Sequence, residues 1–315
     1  MKMTLENLKN FVVTYVTKTL QANPTYTPSY EDITGLLNKI GKQIEVKGLF
    51  NDPLTELDAE FLALGKTIEE YFTGLILPQD FDANGADDKA PAYPPKGAPY
   101  YSYTLGRKKI KTTVPYGQIE GVAITPEFVA NYIASIMENL YNSQDMYKFN
   151  IKKQLLANVI DKAVTKKRTT VIAKPIDTVT AEEFIVKIKD LITNSKFPNQ
   201  GNALSDELIG ATPRLTLYLT KGVKSVLDVK ALSGAFNMEK LALECDIKEI
   251  DDFGNADAKY YGLLVDTRGV KLHPSYLAIR QSPNGEGDFI NHILHSEYTA
   301  FISNYVYVNV IASAA

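Results

Sequence analysis

The stretch from Thr125 to Val164, "TPEFVANYIASIMENLYNSQDMYKFNIKKQLLANVIDKAV", constrains this chain more than any other. Val129, Tyr132, Ile133, Ile136, Met137, Leu140 and Tyr141 recur every three to four positions, the period of one helical face. The pattern resumes with Leu155, Leu156, Val159, Ile160 and Val164. Thr125 is suited to cap the first turn, and Pro126 fits the first helical position because its missing N–H would have no partner there. Glu127 lies near the positive end of the helix dipole. About forty residues rising ~1.5 Å each make a rod of ~60 Å, longer than a typical globular helix. A bend is expected at "NSQD". One small core cannot bury such a rod, so other elements must lie along it.

What precedes the rod differs in character. Residues 4–21, 29–44 and 54–72 each carry an apolar stripe at helical spacing and predict three modest amphipathic helices. From Gly74 to Tyr116 the pattern breaks. "PQDFDANGADDKAPAYPPKGAP" has almost nothing to bury, whereas "YYSYTLG" and "RKKIKTTVPY" favour extension. A connection this long predicts a projecting β-hairpin or loop.

After the rod, "TTVIAKPI" and "RLTLYLT" predict strands, and "GVKSVLDVKALSGAF" predicts a helix. "TAEEFIVKIKDLI" predicts a second helix, with Thr180 and Glu183 as a capping box. "CDIKEIDDF" and "YYGLLVDTRGVKLH" are short strand candidates. The end has a turn at Pro283–Gly287 between long β-rich flanks. Val306, Val308 and Val310 then alternate with Tyr305, Tyr307 and Asn309, the pattern of a half-buried strand. The fold class read from this order is α+β, a long helix beside long antiparallel strands with a mixed subdomain.

Chemistry is sparse. There is one cysteine, Cys245, so no disulfide can form within the chain, and a reducing compartment fits. The opening "MKMTLENLKN" does not read as a signal peptide, and no run approaches the ~18 apolar residues of a membrane span. His292 and His295 stand three apart in a strand-like stretch, which puts them on opposite faces and argues for structural roles. Cys245 has acidic neighbours that raise a thiol pKa. Asp251-Asp252 and Asp87-Asp88 read as turn residues. The "KKRTT" run at 166–170 reads as dipole compensation at a helix end. No catalytic constellation is assembled, no metal or cofactor is implied, and an enzyme is not expected.

The unabsorbed feature is "APYYSYTLGRKKIKTTVPY", residues 98–116. Tyrosines interleaved with cations suit either nucleic acid or another protein. The net charge of −3 disfavours tight nucleic-acid binding, which relies on a positive excess to release phosphate counterions.

Several stretches occur in one order: "GKTIEEYFTG", "MENLYNSQDMYKF", "LDVKALSGAFNM", "IDDFG" and "YYGLLVDTRGVKLH". Across roughly residues 65 to 310 the chain resembles the major capsid proteins of short-tailed, phi29-like bacteriophages, which have the Hong Kong 97-type fold. The resemblance implies an N-terminal arm region (1–60), an extended loop with its flanks (61–120), a peripheral domain with a spine helix (121–179), an axial domain (180–270) and the terminal peripheral strands (271–315). It further implies a structural protein of the virion, made in the host cytoplasm and self-assembling into hexamers and pentamers of an icosahedral or prolate shell. That shell would enclose double-stranded DNA without sequence-specific binding, with scaffolding and portal proteins as partners and no membrane. On this reading Tyr100, Tyr101, Tyr103, Arg107, Lys108, Lys109 and Lys111 are expected to contact a neighbouring subunit. An encapsulin-type compartment shell is the alternative within the same fold. A monomeric nucleic-acid-binding protein is the alternative outside it.

Overall fold

The computed structural model describes residues 50–63, 65–75, 96–97, 102–115, 126–210, 215–227, 245–254 and 256–313, with only the backbone path for 96–97 and 126–133. The expected helices at 4–21 and 29–44, the Thr125 cap and most of the helix expected from Gly222 onward lie outside them.

The rod is one helix, α1 (Pro126–Thr165), 40 residues long. It runs unbroken through "NSQD", where a bend was expected. Ser143 there donates its hydroxyl to Asn139 O at 2.8 Å, and Gln144 Nε2 donates to Tyr298 Oη at 2.8 Å in the interior. Polar residues that would loosen a free helix are thus held by the helix itself and by the sheet beneath it. The helix ends in a Schellman turn. Arg168 N donates to Ala163 O at 2.8 Å and Lys167 N to Val164 O at 2.9 Å, with Lys167 left-handed at φ 58°.

The back half of α1 lies on a five-stranded mixed sheet ordered β5 (Thr169–Val171), β11 (Val308–Ala312), β8 (Tyr260–Asp266), β6 (Leu215–Thr220), β7 (Asp246–Ile250). Leu155, Leu156, Val159, Ile160 and Ala163 share a core with Tyr218, Leu263, Val265, Val308 and Val310 on one sheet face. On the other face, Phe184, Ile188 and Ile192 of α2 (Thr178–Ser195) join Leu217, Leu219, Leu264, Tyr307 and Ile311. The result is a helix–sheet–helix sandwich. The expected half-buried pattern of the last strand therefore needs correction. Val308 and Val310 face α1 while Tyr307 and Ile311 face α2, so both sides of this inner strand are buried.

Two further expectations are corrected. The α2 cap is Asp177, three residues earlier than expected: its carboxylate accepts from Thr180 N at 2.8 Å, and the Thr180 hydroxyl accepts from Asp177 N at 3.1 Å. Thr180 is thus the reciprocal partner of the capping box, not its first member. Residues 54–72 do not form a helix. After a single 3-10 turn at Thr55–Leu57 the described residues up to Tyr71 are irregular, with a turn at Gly65 (φ 81°). The chain lies along a neighbouring strand instead, with Ala59 N donating to Leu272 O at 3.1 Å and Leu62 N to Pro274 O at 2.9 Å. Tertiary hydrogen bonding and the burial of Leu54 and Leu57 override a modest helical pattern here.

The front half of α1 lies on a second sheet. Its body is a long hairpin, β9 (Val270–Asn284) and β10 (Phe289–Ile302). On the far side of β10, β4 (Lys108–Pro115) pairs with residues 289–296, and β3 (Ser102–Thr104) with 299–301. The strands expected before the rod exist, but they are not partners in one hairpin: each pairs end to end with β10. A short pairing of β1 (Phe72–Thr73) with β2 (Lys96–Gly97) holds together the two ends of the segment between them.

Candidate inter-subunit surface

Three side-chain clusters tie the strap at 50–75 and a loop to the body. Lys152, 0% exposed, donates to Asp52 Oδ2 at 2.5 Å and to Leu54 O at 2.8 Å, and its ammonium lies 2.8 Å from Asp58 Oδ1. Lys153, one position on, is clamped by Asp251 and Asp252 at 2.8 and 3.0 Å. The two carboxylates of "IDDF" thus hold the β7 exit loop to α1, and they raise the Lys153 pKa against the opposing effect of burial. Farther along the strap, Glu70 accepts from the Ser303 hydroxyl, and Phe72 stacks on Tyr305 with ring centroids 4.4 Å apart. Burial raises the Glu70 carboxyl above its ordinary range.

The alternation of strands sorts the basic run. In β4 the odd positions Lys109, Lys111 and Thr113 are exposed, while Val114 is buried and Ile110 and Thr112 are half-buried towards α1. Residues directly opposite in antiparallel strands share a face. Lys111 is opposite Ile293, which is opposite Arg280; Lys109 is opposite His295, which is opposite Ala278. Thr113 donates to Asn291 at 2.7 Å on the same face. At the strand's end, Arg107 Nε donates to Glu297 Oε2 at 3.1 Å, and its guanidinium lies 4.0 Å from the ring centre of Tyr276. The face turned away from α1 is therefore basic: Arg107, Lys109, Lys111, Arg280 and the half-buried His295, with Glu297 as the carboxylate among them. Arg280 donates to the Tyr276 hydroxyl at 3.4 Å.

The expected contact residues separate accordingly. Lys109 and Lys111 stand together on the outer face, and Arg107 joins them already paired. Lys108, opposite Ser296, belongs to the other face by strand parity. Tyr103, 70% exposed, borders a groove of about 450 Å³ between α1 and the β3 end of the sheet, also lined by Leu105, Ile151, Leu155, Ala300 and Ile302. Tyr100 and Tyr101 lie outside the described residues. Sequence reasoning missed Arg280, His295 and Tyr276. A hairpin register counted outward from the turn at 284–289 would have set Arg280 against Ile293, but not against Lys111.

His292 and His295 occupy β10 on opposite faces, while His273 lies in β9. His292 is 2% exposed and points towards α1, and burial lowers its pKa to about 4. Cys245 is half-buried, and burial followed by the Asp246 charge pushes its thiol up to about 11, which makes it a poor nucleophile. The "KKRTT" run also has a different partner from the one expected. Arg168 donates to Ala203 O at 2.9 Å and Gln200 O at 2.7 Å, and Lys166 and Arg168 both pair with Asp206, so these side chains tie a loop down and leave the helix carbonyls to the backbone. Among the described residues no three His, Cys, Asp or Glu side chains form a metal-holding group.

A profile of the Phi29-like phage major capsid protein family matches residues 2–313. The chain belongs to this family. Among curated members, the major capsid protein of Bacillus phage B103 is 24% identical over 288 residues, covering 85% of this chain and 60% of that protein. The chain thus spans about 60% of the length of that family member. Two solved structures share the fold. A chain of the Staphylococcus phage Andhra capsid superposes with a TM-score of 0.61 at 13% identity, covering 84% of this chain and 85% of that one. A chain from the structure of the head fiber and inner core protein gp22 of native bacteriophage P68 gives 0.63 at 13% identity, covering 86% and 88%.

Proposed function

We propose that this chain is the shell-building subunit of a tailed-phage head, with the Hong Kong 97-type arrangement. In that arrangement 1–60 is the arm region, 61–120 the extended loop and its flanks, 121–179 and 271–315 the peripheral domain, and 180–270 the axial domain. Hexamers and pentamers close a shell around double-stranded DNA held without sequence specificity, and scaffolding and portal proteins take part in its assembly. The observation that carries the reading is the family match across residues 2–313. The architecture supports it physically. A 40-residue helix and a 15-residue strand form a long slab with a sheet face that is uncovered among the described residues, more surface than a solitary molecule of this core needs. Many weak contacts of such a slab add up once a shell closes. The net charge of −3 suits a container that releases its genome.

Electron microscopy of the purified chain tests this directly. Round or elongated shells with nuclease-protected double-stranded DNA, from cells in which packaging operates, are the expected result. Shells filled with protein cargo would turn the reading to a compartment. A dispersed monomer at high concentration would end it.

A further inference from the structure

The tip of the β9–β10 hairpin carries an asparagine followed by a glycine that the fold does not require. The strands end at Asn284 and Phe289, which are paired, and the loop between them, 285–288, is exposed throughout. The left-handed position of this loop is taken by Asp288, at φ 50°, and Gly285 is not among the described glycines with positive φ. A Cβ added to Gly285 would meet nothing within 4 Å. Neither backbone conformation nor packing therefore selects glycine at 285. What its missing side chain changes is access to its own amide nitrogen, whose N–H makes no hydrogen bond among the described residues.

Asn284 supplies the electrophile. Its side-chain oxygen Oδ1 accepts from Glu286 N at 3.0 Å and from Gly287 N at 3.2 Å. Two amide donors on one oxygen draw electron density from Cγ and stabilise the negative charge that this oxygen acquires under attack. We propose that Asn284 is a self-modification site, attacked at Cγ by the Gly285 amide nitrogen, with water as the second reactant. The Gly285 nitrogen gives its proton to hydroxide as the N–Cγ bond forms. The Cγ–Nδ2 bond breaks, Nδ2 takes a proton from water and leaves as ammonia, and a five-membered succinimide remains. Water then opens the ring at either carbonyl, leaving aspartate or isoaspartate at position 284. Nothing is oxidised or reduced. Both products add a negative charge beside Glu286 and Asp288, and isoaspartate also inserts a methylene into the backbone at the last pair of the hairpin. Asn142-Ser143 and Asn194-Ser195 are also followed by a small residue, but they lie inside α1 and α2, where the helical ladder holds the following amide.

The test uses the folded full chain, incubated in heavy-oxygen water at mildly alkaline pH and followed by peptide mass mapping. The amide of Asn284 is expected to convert to acid with first-order kinetics, a heavy oxygen entering at each event and the rate rising in proportion to hydroxide. Labelling by protein-isoaspartyl methyltransferase should mark the same peptide. Gly285→Ala fits the open space, so it is expected to fold like the parent by circular dichroism. It should slow conversion by at least ~tenfold, equivalent to ~1.4 kcal/mol in the barrier. The same incubation in denaturing urea separates the fold from the dipeptide: with both amide donors in place, the folded chain is expected to convert at least as fast as the unfolded one. An amide that stays intact in the folded chain while the unfolded chain converts would show that the hairpin protects Asn284, and would overturn the proposal. Conversion of Gly285→Ala at the parent's rate would overturn it as well, since the attacking nitrogen would then not be the Gly285 amide.

Discussion

At the residue scale, two buried ionisable side chains carry consequences. Lys152 holds two carboxylates and a carbonyl in the interior of the strap junction. Lys152→Ala leaves these acceptors uncompensated and is expected to cost ~3 kcal/mol, read as a drop in the urea midpoint at constant slope. His292 sits opposite Thr112 and Gln281, neither of them charged, so nothing across the strands favours the imidazolium. Its folded pKa of about 4 lies below the ordinary 6.5. Between those values the unfolded chain binds the proton and the folded chain resists it. Stability is therefore expected to be full above pH 6.5 and to fall as the pH drops towards 4. His292→Gln should flatten that slope, and an unchanged slope in denaturation midpoints against pH would remove His292 as its source.

At the element scale, the turn from β8 into β9 is set by close approach. Gly269 has no room for a side chain: an added Cβ would overlap Val306 and lie 2.9 Å from Ser303 Cβ. Ser303 N also donates to Gly269 O at 2.7 Å, so neither backbone can retreat freely. Gly269→Ala is expected to destabilise by ~2–3 kcal/mol, measurable by thermal or urea unfolding. The helix end teaches a related lesson. Lys167 occupies a left-handed position normally given to glycine, so Lys167→Gly should stabilise the chain by up to ~1 kcal/mol in the same assay. Neither position stands out in the sequence. A glycine in "DTRGV" looks like any turn glycine, and a lysine in "TKKRT" looks like a solvated charge.

At the scale of the whole molecule, α1 joins two sheets of different security. The five-stranded sheet is covered on both faces, and β8 lies inside it between β11 and β6. The hairpin sheet is covered on one face, and the distal half of β9 is exposed. Hydrogen exchange of the dispersed subunit is expected to be slowest in β8 and β6 and faster in residues 276–284 of β9. Equal protection in the two sheets would contradict the layered arrangement.

The rod, the long terminal hairpin, the strands of the central sheet and the α+β class were legible because their periodicity is strong over many residues. Local period is sufficient to fix element type when each element's own face pattern decides it. The expected helix at 54–72 failed for the opposite reason: its stripe was weaker than the hydrogen bonds and burial offered by β9. The half-buried reading of the last strand failed because the second covering layer, α2, comes from more than a hundred residues earlier. The candidate surface followed the same division. The composition "RKKIK" announced a basic segment, but strand parity separated Lys108 from Lys109 and Lys111, and Glu297 claimed Arg107. What the sequence alone determined was local: which segments are helix or strand, and where charge is concentrated. Only the tertiary structure decided which charges share a face, because pairing β4 with β10 and β10 with β9 brings together side chains that lie more than 150 positions apart along the chain.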